Sequence, residues 1–169
     1  TAEAACACRK GGRAAYRVRT RPFGYADRIV RTLLEKAKCQ IVLDADGINS
    51  ITGHKDILRR TAKPVVLTPH AGEFARLSGK PDATAADAAQ FAQDYRCIVL
   101  YKGHRTRIFT PDGAAYRNTS GNPGMAKGGS GDVLAGMLVS LCGQGIDAFR
   151  QPVRRRGCTA EPEIWLRMR

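Results

Sequence analysis

The sequence has no apolar run approaching the roughly 18 residues that a membrane-spanning helix needs, so no segment reads as a membrane span. Nothing near its first residue resembles the long apolar core of a secretory signal. Zinc-ribbon spacing is also missing: Cys6 and Cys8 stand one residue apart, with no second close pair and no histidine beside them. Cys39, Cys97 and Cys142 lie in or next to apolar runs and read as small buried hydrophobes. Together these absences predict a reduced, cytoplasmic setting. The chain begins at Thr1 without a methionine and is expected to be a fragment.

Acid is the scarce charge. Against 28 basic residues there are 15 acidic ones, a net charge of +13. Such an excess raises the possibility of a non-catalytic, basic nucleic-acid-binding protein. Its distribution argues against that class. Residues 1–21 and 150–169 hold 12 of the basic and 3 of the acidic residues, a net +9, which leaves only +4 for the middle of the chain. The ends are Arg-rich and poor in aromatics, and charge alone gives sequence-independent attraction. No specific nucleic acid and no membrane partner is expected.

What is present is an ordinary globular core: 169 residues, 43% hydrophobic and 25% charged, enough for one domain. Residues 41–46 (IVLDAD), 64–70 (PVVLTPH) and 97–103 (CIVLYKG) are apolar runs rich in β-branched residues and read as buried strands. Helical spacing lies between them, at Ile29, Val30, Leu33 and Leu34, at Phe74, Ala75 and Leu77, and over the Ala-rich residues 83–92. Buried strands alternating with helices predict an α/β fold, with a mostly parallel sheet flanked by helices on both faces. Residues 106–118 read as a hairpin turning at Pro111-Asp112-Gly113. In open parallel sheets ligands bind beyond the carboxyl ends of the strands. Here those ends carry Asp44 and Asp46, Thr68-Pro69-His70, and Lys102-Gly103.

The stretch GNPGMAKGGSGDVLAG, residues 121–136, adds a glycine-rich loop that runs into helical spacing at Val133, Leu134, Met137, Leu138 and Leu141. The first N–H groups of a helix have no internal partner and the helix dipole is positive there, which suits a phosphate. Asp132 stands at that junction. One reading makes it the helix cap. The other makes it a general base for a hydroxyl attacking phosphorus.

Four segments resemble the ADP/ATP-dependent NAD(P)H-hydrate dehydratases of the ribokinase-like superfamily. They are TPHAGEFARL at 68–77, KGHRT at 102–106, NTSGNPGMAKGGSGDVLAG at 118–136, and DADGIN at 44–49. The last is similar to the family's DADALN, with Gly47 and Ile48 in place of Ala and Leu. GSGD alone would point only to a ribokinase-like kinase of a small alcohol or vitamin precursor. Those kinases resemble TPN-x-x-E, where this chain has His70. The resemblance implies a lyase of metabolite repair that returns hydrated NADH and NADPH to the active cofactors, using ADP or ATP as co-substrate with Mg²⁺, as a homo-oligomer.

Carried over by residue, the resemblance implies that Asp132 is the catalytic base and contacts the hydrate. His70 and Asp46 would also bind it. Lys102, Gly103, His104, Arg105 and Thr106 would line the adenine nucleotide, and Gly129, Ser130 and Gly131 would present N–H groups to its phosphoryl. Glu73 would reach Mg²⁺ through water. Each has a plainer alternative. Glu73 can complete the first turn of a helix, His70 can be satisfied locally, Lys102 can be a solvated strand end, and Asp44 and Asp46 can merely close a strand. Lys127 departs from the small hydroxyl residue expected beside the loop.

The likeness spans roughly residues 28–148. Residues 1–27 read as an atypical Arg-rich segment and 149–169 as an atypical basic tail, both without periodicity. Only Phe23-Gly24-Tyr25 echoes the family's early glycine loop. The ends are expected to be out-of-frame or truncated sequence, which would leave the ribokinase-like sheet, and with it the activity, incomplete.

Overall fold

The structure, a computed structural model, describes residues 3–10, 13–19, 24–119, 124 and 126–144, with side chains from Asp27 onward. Residues 121–123 and 125 of the glycine-rich stretch, Phe23, and the tail 149–169 lie outside the described residues.

Seven strands form one mixed sheet in chain order: β1 (Glu3–Lys10), β2 (Arg13–Arg19), β3 (Gln40–Leu43), β4 (Val66–Leu67), β5 (Ile98–Tyr101), β6 (Arg107–Phe109) and β7 (Ala115–Arg117). Strands β2 to β5 are parallel, and the pairs β1/β2, β5/β6 and β6/β7 are antiparallel. The parallel strands are joined by α1 (Gly24–Lys36), by α2 (Asp46–Asn49) with a 3₁₀ turn (Lys55–Arg60), and by α3 (Ala71–Ser78) with α4 (Ala85–Asp94). Every crossover steps one strand in the same direction. With right-handed connections, that places all their helices on one face.

The burial pattern agrees with this. Ile41, Leu43, Val65, Leu67 and Val99 pack with Val30, Leu34, Phe74, Leu77 and Phe91 from the helices of that face. The intervening Val42, Val66, Ile98 and Leu100 point to the other face and meet Leu138 and Val139 of α5 (Ser130–Gly143). Side chains that alternate along strands buried on both sides explain the unbroken apolar runs of the sequence. Phe74 joins the layers: its ring meets Phe91 and Tyr101 edge-on, each at 5.6 Å between centroids. Fully burying such a side chain contributes about 1.5–3 kcal/mol.

Two findings differ from the sequence reading. The Arg-rich residues 3–10 and 13–19, expected to lack periodicity, form the antiparallel pair β1/β2, and Ala15 to Val18 of β2 pair with Gln40 to Leu43 of β3. The signal was the alternation of Tyr16 and Val18 with Arg17 and Arg19. The last helix also begins earlier than its apolar spacing suggested, at Ser130, with the left-handed Gly129 as its cap. Cys97 is buried as expected, and burial pushes its thiol well above the usual range, whereas Cys39 and Cys142 are only partly covered.

Candidate active site

The carboxyl ends of β3, β4 and β5 meet at one edge of the sheet. Asp44 follows β3 and is 3% exposed. One of its oxygens accepts the Thr68 hydroxyl at 2.7 Å and the Lys102 ammonium at 3.0 Å. Thr68 follows β4, and its backbone N–H also ties back to the Leu43 carbonyl. Lys102 follows β5, locked in register by its N–H to the Pro69 carbonyl at 2.8 Å. Its ammonium also lies 3.7 Å from Glu73. Three strand ends are thus joined at the Asp44 carboxylate, whose cation the sequence reading had weighed as a solvated lysine. Burying these carboxylates is tolerable because the cation and the hydroxyl replace their water.

Backbone strain supports this arrangement. Ala45, between the two acids, has φ 49° and ψ −118°. Positive φ in a residue other than glycine costs of order 1–3 kcal/mol. The bend leaves Asp44 inside with Thr68 and Lys102, while Asp46 opens α2. Asp46 accepts a hydrogen bond from Asn49 at 3.2 Å, and Asn49 accepts one from Arg76 at 3.3 Å. Asp46 therefore belongs to a separate polar chain along α2 and α3.

His70 caps α3. Its Nδ1 accepts the N–H groups of Gly72 at 3.0 Å and Glu73 at 3.3 Å, and Glu73 returns an oxygen to the His70 N–H at 2.8 Å. Nδ1 is therefore unprotonated, and Nε2, 3.5 Å from the other Glu73 oxygen, bears the proton of the neutral ring. The exposed edge of the ring remains open to a ligand. Gly72 suits this place, because a β-carbon on it would come within 3.1 Å of the imidazole, which would have to give by a few tenths of an ångström.

The first turn of α5 completes the group. Its cap residue, Gly129, is left-handed at φ 87° and supplies no side-chain bond. The N–H and hydroxyl of Ser130 both go to the Lys127 carbonyl, at 3.2 and 2.7 Å. The next N–H, on Gly131, has no acceptor among the described residues. Asp132 is the third residue of the helix and is half-buried, so it is not the cap that one reading made it. A β-carbon on Gly131 would lie 3.8 Å from the Lys102 nitrogen, so the cation of the strand ends stands beside the helix start. Lys127 is exposed in the loop.

Gly103, His104 and Arg105 form the exposed turn between β5 and β6. Thr106 closes that turn by donating to the Gly103 carbonyl at 3.4 Å. No cluster of three His, Cys, Asp or Glu side chains suited to a metal exists among the described residues. Glu73 is turned toward His70 and Lys102, so this donor set fits Mg²⁺ only through water, with an anionic ligand supplying the direct bonds. Sequence reasoning placed Asp44 and Thr68 at the ligand-facing strand ends but gave Thr68 no role and left Asp44 as a residue that can merely close a strand. The available signal was their place as the first polar residues beyond two adjacent apolar strands.

The sequence model of the NAD(P)H-hydrate dehydratase family matches residues 23–160, from inside the N-terminal segment into the basic tail. The chain is 43% identical over 123 residues to a bifunctional NAD(P)H-hydrate repair enzyme of Moorella thermoacetica, covering 70% of this chain and 23% of that protein. It is 40% identical over 125 residues to an ADP-dependent (S)-NAD(P)H-hydrate dehydratase of Neisseria meningitidis, covering 69% of this chain and 42% of that one. The chain therefore spans less than half the length of these relatives. A crystal structure of the ADP/ATP-dependent dehydratase of Bacillus subtilis, grown with ATP and Mg²⁺, superposes with a TM-score of 0.61 at 30% identity, over 76% of this chain and 48% of that one. A ribokinase-like protein of Enterococcus faecalis superposes with a TM-score of 0.60 at 32% identity, over 70% and 43%. The fold is ribokinase-like, and the chain belongs to the NAD(P)H-hydrate dehydratase family.

Proposed function

We propose that this protein dehydrates the (S)-hydrates of NADH and NADPH at the expense of an adenine nucleotide, ADP as in the Neisseria relative's name. The observation that carries the reading is the junction of Lys102 with the first turn of α5: a cation beside an uncapped helix start, one residue before a half-buried carboxylate. A transferring phosphoryl needs that combination of N–H donors, positive charge and nearby base.

Hydroxide is a poor leaving group. In the first step Asp132 takes the proton of the ring hydroxyl as its oxygen attacks the terminal phosphorus, and AMP departs. The Gly131 N–H and Lys102 face the charge that develops on the phosphoryl oxygens. In the second step the carbon–oxygen bond breaks and phosphate leaves. A proton lost from the adjacent ring carbon restores the double bond of the dihydronicotinamide. His70 and Asp46 would hold the hydrate, while Gly103, His104, Arg105 and Thr106 would line the nucleotide. Gly129 and Ser130 shape the loop under its phosphates. Mg²⁺, reached by Glu73 through water, would neutralise phosphate charge. A cytoplasmic homo-oligomer with no nucleic-acid partner belongs to the same reading. We also keep 28–148 as the dehydratase core and the two ends as atypical.

Recovery of dihydronicotinamide absorbance from hydrated NADH, with ADP or ATP and Mg²⁺, tests it. Turnover that requires the nucleotide and disappears in Asp132→Asn is expected. No turnover with either nucleotide from a folded sample overturns the proposal for this chain.

A further inference from the structure

Two buried carboxylates share one ammonium at the sheet edge. The side chains of Asp44 and Glu73 are 5% and 8% exposed, and that of Lys102 is 22% exposed. Of the three ammonium protons, one is committed to Asp44 at 3.0 Å, and Glu73 at 3.7 Å lies outside hydrogen-bonding distance. Donors therefore remain, on a nitrogen that stands 3.8 Å from where a β-carbon of Gly131 would be. A lysine side chain is long and carries substantial rotamer entropy. A free one would spend most of its time in water rather than against a helix start. Thr68 fixes the Asp44 carboxylate at 2.7 Å, and the strained Ala45 fixes its backbone.

We propose that Asp44 is a positioning residue that holds the Lys102 ammonium against the first turn of α5, so that the phosphate-binding end of the helix carries a fixed cation. The proposal rests on the reading above that a nucleotide phosphoryl binds there, and it adds a residue that touches neither nucleotide nor hydrate. Its sign is diagnostic. Asp44→Asn removes a negative charge near the site, so electrostatics alone makes the variant bind phosphate more tightly. Positioning makes it bind more weakly, because the released lysine no longer faces the ligand.

The test uses Asp44→Asn, Lys102→Met and the double variant, each checked for folding. Without ligand, the lysine ammonium protons are observed by nitrogen-edited NMR. A retained Lys102 signal in the parent and its loss in Asp44→Asn are expected, and an unchanged signal in Asp44→Asn overturns the proposal. Titration with ADP and with adenosine follows. Asp44→Asn should weaken ADP about tenfold and leave adenosine unchanged, and the double variant should bind ADP no worse than Lys102→Met alone. ADP affinity equal to or above that of the parent overturns the proposal, as does an independent, multiplying effect in the double variant. If Asp44→Asn does not fold, the ADP-to-adenosine ratio of the double variant against that of Lys102→Met decides. If Lys102→Met, which strips the cation from two buried carboxylates, does not fold, the ammonium signal and the ADP affinity of Asp44→Asn decide without it. If the parent binds adenosine and ADP alike, the functional reading falls, while the ammonium signal still reports whether Asp44 anchors Lys102.

Discussion

Two helix starts face the same edge of the sheet and are built in opposite ways. The N-terminus of α3 is closed by its own side chains: His70 takes two N–H groups and Glu73 closes back on a third. The N-terminus of α5 has glycine as its cap, and that residue supplies no side-chain bond. Glycine costs only a few tenths of a kcal/mol as a cap relative to Ser, Thr, Asn or Asp, so an open start is energetically cheap. Glu73 pairs with Lys102, and Lys102 reaches Gly131, so the closed start also helps to organise the open one. Chemistry is expected at α5 and stability at α3, and substitutions should separate the two.

The largest effect is expected at Asp132. Its charge at the third helical position is worth about 0.3–1 kcal/mol with the helix dipole. As a base it is worth roughly 10²–10⁴ in rate. Asp132→Asn should therefore lose turnover by about that factor while its urea midpoint barely moves. Turnover that falls only in step with stability would make Asp132 a helix-start residue, and the contrast with α3 would vanish.

At α3 the ranking reverses. His70→Ala removes two cap bonds and should cost about 1 kcal/mol of stability, read from urea unfolding, whereas His70→Asn, with an oxygen that can accept the same N–H groups, should recover most of it. Unfolding curves that coincide for all three proteins would show that the box holds nothing.

Two glycine substitutions sharpen the comparison. In Gly131→Ala the new methyl meets the Lys102 nitrogen at ordinary contact distance, 3.8 Å. The helix gains propensity, up to about 1 kcal/mol, and stability should hold or rise while ADP binding weakens. In Gly72→Ala the methyl would lie 3.1 Å from the His70 ring and displace it from its two N–H groups by a few tenths of an ångström, so the same gain in propensity should be offset and stability should fall. Thermal melts paired with ADP titration check both. The same sign of stability change in the two variants would contradict the assignment of one start to ligand and the other to structure.

Much of this was legible in the sequence where a residue's role is decided by its neighbours along the chain. Ile41 to Leu43 and Ile98 to Leu100 are buried on both faces and announce strands by unbroken apolar runs, and Phe74 and Leu77 announce the buried side of α3 by their spacing. β1 and β2 were harder, because arginine on alternate positions hides the pattern. The sequence placed Asp44 and Lys102 at strand ends on one edge, but the contacts that join Asp44, Glu73 and Lys102 were not legible in it. They depend on strand register, which places Val42 beside Val66 and Val66 beside Ile98, and so brings together residues up to 58 positions apart. The exposed Val133 and Met137 on α5, at 59% and 40%, follow helical spacing as predicted, but spacing alone did not say which apolar residues of that helix would be covered.

The smallest predicted effect lies at a third helix start, that of α4, which is closed by Thr84 and Asp87 and is remote from any proposed chemistry. A hydrogen bond from the Lys80 ammonium at 2.5 Å, and then the Thr84 N–H and hydroxyl, hold the Asp87 carboxyl far below the usual carboxylate range. The native protein therefore resists a proton that the unfolded chain accepts. Above the unfolded value of 3.8 the stabilisation is fully present, and it is lost as pH falls below that value toward the folded one. Asp112, lowered mainly by the Thr110 hydroxyl, acts in the same direction. Asp87→Asn should leave a shallower loss of stability between about pH 5 and pH 2 than the parent shows. Because the Lys80 partner is largely exposed, the difference should shrink as salt is raised. Urea midpoints across that range, at low and high salt, decide it: parallel acid limbs would mean that this box, unlike the one at α3, contributes geometry without stability.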